Sequence, residues 1–113
     1  MAIKYVVIPE KKQTIGILRN CEFDAVNRIE KLMGDGFHLC DIRKYMMPHT
    51  FKATVTCYPG DEYDEEEGKR RVKQKLMNNY HKSIDKRIDI FRAELIAMNS
   101  RVFETPEVLK NNT

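Results

Sequence analysis

The sequence has no apolar run near the roughly 18 residues that a membrane-spanning helix needs. Its start, MAIKYVVIPEKK, also lacks the basic beginning and the long apolar stretch of a secretory signal peptide. Glycine and proline are scarce, with five and four copies in 113 residues. These features predict a soluble cytoplasmic protein without a membrane partner, folded as a single domain over residues 1–113.

Metal and nucleophile patterns are missing as well. The three cysteines, Cys21, Cys40 and Cys57, lie 19 and 17 residues apart, which matches neither a redox pair nor the spacing of zinc ligands. We expect reduced thiols that are mostly buried. Cys57 precedes six carboxylates in residues 61–67, which would disfavour a reactive thiolate. The histidines form no metal or general-base motif, so we expect neither an enzyme nor a bound cofactor.

Two apolar stretches near the start, residues 3–8 and 14–20, flank the turn PEKKQ and predict a β-hairpin. The apolar residues that follow recur at steps of three and four, which indicates a helix of about three turns. Asn20 is expected to cap its start, and Gly34-Asp35-Gly36 to end it. The apolar positions of this helix are Phe23, Val26, Ile29, Leu32 and Met33.

Residues 37–47 and 51–57 are two further strand candidates, joined across Pro48-His49-Thr50. In the second of them, apolar residues alternate with lysine and threonine, as in a strand with one buried face. Residues 1–60 are therefore predicted to form an antiparallel β-core in the order ββαββ, with one short helix.

A long amphipathic helix is predicted for residues 64–99, where no proline appears and no glycine follows Gly68. The tail, residues 100–113, is expected to leave the helix because Pro106 cannot continue it. The predicted fold class is thus α+β, with the β-core followed by this helix. Its apolar stripe consists of Val72, Leu76, Tyr80, Ile84, Ile88, Phe91, Leu95 and Met98.

The segment DEYDEEEGKRRVKQK, residues 61–75, places acidic residues before basic ones. It does not fit an EF-hand loop, because unsuitable side chains take ligand positions in both registers, and Arg70 replaces the hydroxyl that a P-loop requires. It fits a helix start, because Asp64 and Glu67 have capping-box spacing and carboxylates favour the first turn. The expected i, i+4 ion pairs are Glu65 with Lys69, Glu66 with Arg70 and Glu67 with Arg71.

This helix is too long for one small domain to cover. About 36 residues rise roughly 54 Å at about 1.5 Å per residue, whereas a compact domain of this size has a diameter of roughly 35 Å. Either the helix breaks at Asn78-Asn79, which are weak helix formers, or two copies share the apolar stripe. We favour the homodimer, because four short strands cannot cover the stripe.

The far half of the predicted helix and its tail combine aromatic rings with arginines, which suits a ligand that carries both a base and phosphates. The net charge of +3 permits an anionic partner. Phe91 also lies on the apolar stripe and fits a core position, and each arginine also fits a plain surface charge. The candidate binding residues are Arg19, Arg28, Tyr80, Arg87, Phe91, Asn99, Arg101 and Phe103.

Five segments spread over nearly the whole chain share the pattern of a known family: KYVVIPEKKQTIGIL, RKYMMP, FKATVTCYPGDEYDEEEGK, DKRIDIF and RVFETPE. Together they resemble the small phage anti-Thoeris proteins of the first type. None of these segments is a catalytic signature. The resemblance implies a β-core followed by C-terminal helices, homodimers that associate further into hexamers, and a ligand pocket at the subunit interface.

The resemblance also implies a function. Members of that family act as sponges, which bind and sequester a cyclic ADP-ribose isomer made by the TIR-domain enzyme of an infected bacterium, without cleaving it. The defence effector is then never switched on. Some relatives also bind cyclic oligonucleotide signals at a separate site. On this basis we expect a phage-encoded inhibitor of anti-phage immunity in the host bacterial cytoplasm, with a small cyclic nucleotide as its partner.

Two other hypotheses stay open from the residues alone. The basic string KRRVKQK permits a nucleic-acid-binding accessory protein of a mobile element, although the carboxylates one turn earlier would repel phosphates. The acidic segment, residues 61–67, permits an inhibitor that binds a host protein.

Overall fold

The computed structural model describes residues 2–57, 60 and 62–109, with side chains as far as Met98. The predicted α+β class is confirmed, with a three-stranded antiparallel sheet followed by one long C-terminal helix. None of the helices in the described part of the chain combines the length and the apolar character that crossing a membrane would take. The elements are β1 (Ile3–Ile8), β2 (Gln13–Leu18), α1 (Asp24–Met33), β3 (Phe51–Thr56) and α2 (Glu65–Leu109).

The sheet has the order β1-β2-β3, so β2 lies in the middle. Alternation along β2 follows the two faces of the sheet: Thr14, Gly16 and Leu18 are buried beneath α2, while the residues between them lie on the other face. The register pairs Gly16 with Tyr5 of β1 and with Ala53 of β3. This face therefore carries the main core of the molecule.

Two glycines allow α2 to approach the sheet closely. A Cβ atom at Gly16 would lie 2.3 Å from Cγ1 of Val72, and one at Gly68 would lie 2.5 Å from Oγ1 of Thr14. Gly16 belongs to β2 and Gly68 to the first turn of α2, so the strand and the helix each give up a side chain at their contact. Lys75, about two turns after Gly68, donates a hydrogen bond of 3.2 Å to the carbonyl of Thr54 in the edge strand β3.

Helix α1 ends at Gly34, as predicted, where a φ of 108° favours glycine. The expected cap at Asn20 is wrong. The helix begins at Asp24 without a side-chain cap, and Oδ1 of Asn20 lies 3.0 Å from Nε2 of His49 instead. Asn20 has a φ of 63° and stands in the turn that leads out of β2, so its side chain binds across to the loop before β3 rather than along α1.

The predicted strand at residues 37–47 is wrong, so the order is ββαβ rather than ββαββ. The segment is irregular apart from a 3-10 turn at Arg43–Tyr45. Asp41 starts that turn, because its carboxylate accepts the backbone N–H of Arg43 at 3.1 Å. The side chains that the segment contributes to the core do not alternate. These are Leu39, Ile42, Tyr45 and Met47, which pack against α1 and α2.

Helix α2 is continuous over 45 residues and rises about 67 Å at about 1.5 Å per residue. The alternative of a break at Asn78-Asn79 is wrong, because both residues lie inside the helix. The expected end before the tail is also wrong, because the helix continues through Pro106 to Leu109. A proline removes one backbone hydrogen bond and bends a helix, and here the residues on both sides of it keep the helical backbone.

The two halves of α2 have different environments. In the proximal half, residues 65–84, the predicted stripe is buried: Val72 and Leu76 are 0% exposed and Ile84 is 7% exposed. In the distal half, residues 85–109, the stripe is only half-buried at Ile88, Phe91 and Leu95. Further along, Met98 is 57% exposed. The molecule measures 75 × 27 × 19 Å, which reflects this projecting helix.

Candidate functional site

The start of α2 has the capping arrangement that its sequence predicts. Oδ1 of Asp64 accepts the backbone N–H groups of Glu66 at 3.0 Å and of Glu67 at 3.4 Å. The ion pairs Glu65 with Lys69, at 3.1 Å, and Glu67 with Arg71, at 2.7 Å, are confirmed. The pair of Glu66 with Arg70 is wrong, because Arg70 contacts Glu67 at 2.6 Å. These interactions stabilise a helix start.

Glu67 is the centre of this charge network. Hydrogen bonds from the guanidinium of Arg70, and then from that of Arg71, lower the pKa of Glu67 to about 2. The opposite charge also raises the pKa of Arg70. The carboxylate and both guanidinium groups are therefore engaged with one another.

A cavity of about 230 Å³ lies between this helix start and the ends of β2 and β3. On its floor, the hydroxyl groups of Thr14 and Tyr63 are hydrogen-bonded at 2.8 Å. Cys57 lines one wall and donates from its thiol to the carbonyl of Glu62 at 3.8 Å. Sequence reasoning missed this cavity, because segments far apart in the chain line it and no short motif marks them. The hydroxyl groups of Thr14 and Tyr63 are hydrogen-bonded to each other, so they do not indicate which kind of ligand the cavity would bind.

Tyr80 was predicted to bind a ligand, and the structure gives it a role inside the fold. It is 4% exposed, and its hydroxyl donates to Oδ2 of Asp24 in α1 at 2.6 Å. Burial, and then this hydrogen bond, raise the pKa of Tyr80. Its ring contacts Phe51 edge to face at 5.8 Å between centroids. Tyr80 thereby fastens α1 and β3 to the proximal half of α2.

Arg87 also binds within the chain. Its Nε donates to the carbonyl of Met46 at 2.9 Å, and its Nη1 donates to the hydroxyl of Ser83 at 2.7 Å. The side chain is half-buried along α2. Because the acceptors occupy much of its guanidinium, Arg87 holds the segment before β3 against the helix.

Phe91 belongs to the smaller of the two core clusters. Its ring lies edge to face against Tyr45, at 6.0 Å, and against Phe37, at 6.2 Å. Beside it, the carboxylate of Glu94 accepts hydrogen bonds from Tyr45 and, at 2.6 Å, from Lys44. The core interpretation of Phe91 is thus confirmed. Its ring contacts are with Tyr45 and Phe37, and they do not indicate a ligand.

This aromatic cluster has shifted protonation equilibria. Burial, and then the carboxylate of Glu94, raise the pKa of Tyr45 to about 12. The hydrogen bond from Lys44, and then that from Tyr45, lower the pKa of Glu94. The tyrosine therefore stays protonated and the glutamate ionised near neutral pH. The pair fixes the distal half of α2 to residues 43–45.

The remaining predicted residues divide into two groups. Arg19, just after β2, and Arg28, on α1, are exposed, and their side chains form no hydrogen bond or ion pair within the described part of the chain. The other three, Asn99, Arg101 and Phe103, lie on the backbone of α2, but their side chains are outside the described residues. Two of the eight predicted residues, Arg28 and Tyr80, lie near each other. Arg28 is one turn after Asp24 on α1, and its positive charge favours ionisation of the Tyr80 hydroxyl, against the larger effects that raise the pKa of Tyr80.

The three cysteines are reduced thiols rather than disulfides, as expected. Cys21 is buried, and burial raises the pKa of its thiol. Cys40 is exposed, which contradicts the expectation of mostly buried thiols, because the segment 37–47 is an irregular surface stretch rather than a strand. Among residues 2–57, 60 and 62–98, histidine, cysteine and acidic side chains form no cluster that would hold a metal ion.

The distal half of α2 exposes apolar side chains in more than one direction. Ile90 is 37%, Ile96 65% and Met98 57% exposed. Successive residues of a helix are about 100° apart, so the four residues Leu95 to Met98 give one turn of α2 apolar side chains on every side. A helix that is apolar on every side is typically buried, and this single turn has that character. The chain itself supplies no such cover in its described part.

No family model matches the chain, and no curated protein or solved structure is similar to it. No relative therefore transfers a role to any of its residues.

Proposed function

We propose that the protein is a non-enzymatic binding protein that sequesters a cyclic ADP-ribose isomer and thereby blocks a TIR-dependent defence in the cytoplasm of a phage-infected bacterium. Two copies form the binding unit, and the ligand lies in a cleft between them. The observation that carries this proposal is the uncovered distal half of α2, with Ile96 and Met98 more than half exposed. A cleft built on such a surface excludes water from the flat parts of a ligand.

The phosphates of the ligand need cations that the fold has not already used. Arg28 and Arg19 are exposed, and their side chains form no hydrogen bond or ion pair in the described part of the chain. A guanidinium group binds a phosphate through two parallel hydrogen bonds, which makes it the preferred side chain for this role. Asp24, which binds Tyr80, lies one turn before Arg28 and fixes the orientation of α1 against α2. In the proposed site, Tyr80 therefore positions Arg28 and does not itself contact the ligand.

The distal half of α2 supplies the other side of the proposed cleft. Phe91 and Arg87 hold residues 37–47 against this half, so the helix surface next to them is fixed. The proposed site also includes three residues that follow on the same helix: Asn99, Arg101 and Phe103. They are included because of their position in α2. The same proposal extends to hexamers and to a separate site for cyclic oligonucleotides, which the family resemblance implies.

The structure favours this proposal over nucleic-acid binding. The basic residues that motivated that alternative are largely used within the fold: Lys69 binds Glu65, and Arg70 and Arg71 both bind Glu67. A phosphate backbone would have to compete with these carboxylates. Docking of a host protein on the acidic segment is weakened in part for the same reason, because Glu65 and Glu67 already have ionic partners and Asp64 caps the helix.

Calorimetry with purified cyclic ADP-ribose isomers tests the proposal. We expect saturable binding to a particle whose mass in sedimentation corresponds to two copies or a multiple of two. Heating the complex should release the nucleotide, and chromatography should recover it intact. Absence of binding to every isomer, or recovery of a cleaved product, would contradict the proposal. A gel shift with DNA or RNA that weakens steeply with added salt would support the nucleic-acid alternative instead.

Variants of two arginines sharpen this experiment. Arg28→Gln should weaken nucleotide binding about tenfold or more, which corresponds to about 1.4 kcal/mol or more. The free energy of unfolding should stay the same, because Arg28 binds nothing in the described fold. Arg70→Gln is the matched control, because Arg70 is also exposed but lies at the start of α2 on Glu67. Equal losses of affinity in both variants would indicate only non-specific charge attraction.

A further inference from the structure

The face of the sheet that points away from α2 has an unexpected composition. By the strand register, its outward residues on β1 and β2 include Val6, Ile8, Ile15 and Ile17. These four are half-buried, and none belongs to either core cluster. In the described part of the chain, α1, α2 and residues 37–47 all pack on the opposite side. An adjoining group of four branched aliphatic side chains is therefore left without a covering layer.

A solvated face of an antiparallel sheet is normally polar. Here the outward residues of β3, Lys52, Thr54 and Thr56, follow this rule, whereas β1 and β2 add one polar residue each, Lys4 and Gln13, to the four aliphatic side chains. Domains bury an apolar sheet face against a second layer, which is either another sheet or a helix. The composition of this face therefore points to a layer that the described chain does not itself provide.

Size favours a helix over a second sheet as that layer. A face of three six-residue strands measures roughly 14 by 20 Å, or about 290 Å², from the usual strand spacings. Stable interfaces need about 800 Å² of surface from each partner, so two such faces packed on each other are too small. If each copy contributes both its sheet face and a length of helix, the contact is made twice, and each copy buries about twice the area of one sheet face.

The distal half of α2 fits the face in length. Its described part with side chains, residues 85–98, rises about 21 Å at about 1.5 Å per residue. This matches the roughly 20 Å length of a six-residue strand. The helix is uncovered and apolar all round near Ile96, while the sheet face is uncovered and apolar at Ile15. Each surface would therefore cover the exposed apolar side chains of the other.

The two surfaces also carry charges that can pair. Lys4 and Lys52 flank Ile17 in one row across the sheet, and no outward residue of the three strands is acidic. The exposed carboxylates of Asp85 and Asp89 lie one turn apart on the distal half of α2, and the exposed cations Lys86 and Arg92 lie beside them. Within the described part of the chain, Asp89 pairs with Arg92 at 3.8 Å.

From these observations we infer that the outer face of the sheet, centred on Ile15 and Ile17, is the seat for the distal half of α2 from a second copy of this chain. The contact is reciprocal and two-fold: each sheet lies between its own proximal helix and the distal helix of its partner. This inference rests on the two-copy assembly of the proposed function and names the surface that the partner supplies. It makes the long α2 the connection between two sheets.

Cross-linking between differently labelled copies tests the inference directly. In a background with Cys40→Ser and Cys57→Ser, copies that carry Thr54→Cys are mixed with copies that carry Ile96→Cys and treated with a short bismaleimide. The expected product is a cross-linked pair made of one copy of each kind. Gln74→Cys is the matched control for Ile96→Cys, because Gln74 is exposed on the proximal half of α2, and it should give no product with Thr54→Cys. Products formed only between identical copies would overturn the inference.

Sedimentation of charged variants separates this inference from the proposed dimer. Ile15→Lys and Ile96→Lys should each weaken self-association at least tenfold, whereas Gln74→Lys should not. Circular dichroism checks folding, and Ile15→Thr, which keeps a strand-forming residue, replaces Ile15→Lys if that variant unfolds. If Ile96→Lys weakens the dimer while both changes at Ile15 leave it intact, the sheet face is not the seat, and the dimer stands. If the unmodified protein sediments as one copy, both proposals fail.

Discussion

The two halves of α2 are one continuous helix, and they differ in almost every physical respect. The proximal half buries Val72 and Leu76 completely against the sheet and places a glycine where the backbone approaches β2. In the part whose side chains are described, the distal half contacts α1 and residues 37–47, and Met98 at its end is exposed. The apolar stripe continues from the proximal half into the distal half. The two halves differ in the surface that covers them, because the sheet packs on the proximal half and does not extend along the distal half.

The largest expected effect comes from comparing a substitution in the buried proximal half with one in the exposed distal half. Leu76→Ala should lower the free energy of unfolding by about 2–5 kcal/mol, because it removes buried methyl groups and leaves a cavity. Ile96→Ala should change it by no more than about 0.5 kcal/mol when the protein is dilute enough to be a single copy. Urea denaturation at low and high protein concentration measures both. The cost of Ile96→Ala should rise with concentration, because association stabilises the folded state.

Equal costs for Leu76→Ala and Ile96→Ala in dilute protein would contradict the comparison. They would mean that the chain itself covers the distal half of α2.

The second prediction concerns the close contact that distinguishes the proximal half. Gly16→Ala should destabilise the protein by about 1–3 kcal/mol, because the new Cβ would overlap with Val72 in a packed core. This outweighs the roughly 0.5–1 kcal/mol that a strand normally gains when glycine is replaced. Thermal and urea unfolding of the single variants and of Gly16→Ala with Val72→Ala measure the coupling.

The double variant should be more stable than the sum of the two single changes predicts, because removal of the valine methyl groups makes room for the alanine. Strict additivity would show that the overlap is relieved elsewhere.

The smallest effect belongs to the charged start of the proximal half. The pKa of Glu67 is about 2 in the folded protein and 4.5 without its partners. A carboxylate whose pKa is lowered by folding stabilises the fold above the higher value, and this contribution disappears as the pH falls from about 4.5 to 2. The stability difference between the unmodified protein and Glu67→Gln should therefore shrink over that range, as followed by urea unfolding.

Glu66→Gln is the control for this experiment, because Glu66 is in the same exposed turn and forms no ion pair in the described structure. Its difference from the unmodified protein should change little over the same range of pH. A pH dependence as large as that of Glu67→Gln would assign the effect to the overall charge of the segment rather than to the pairs with Arg70 and Arg71.

Local periodicity predicted the regular elements well. The apolar stretches in residues 3–8 and 14–20, the stop at Gly34 and the stripe from Val72 to Ile84 each depend on neighbours within a few positions. The segment 37–47 was misread because its buried side chains follow the surfaces of α1 and α2 rather than a period of two. Pro106 was given too much weight, since one proline bends a helix without ending it.

The binding residues were harder to predict, because their partners are far away in the sequence. Tyr80 binds Asp24, 56 positions away, and Arg87 binds Met46, 41 positions away. Such contacts leave no short pattern, so the sequence could not reveal that these groups are already used. Arg28 and Arg19 stay available because nothing in the described fold folds back onto them. Residue type therefore suggested the chemistry of a ligand, while tertiary contacts decide which side chains are free for it.

The hydrogen bond from Lys75 to the carbonyl of Thr54 has a consequence for aggregation. Open-ended stacking of strands into a fibril requires that both lateral borders of a sheet accept new strands. The ammonium group occupies the β3 border and places a charge where a newcomer would pair. A single lysine on a neighbouring helix thus makes the β3 border a poorer template for another strand.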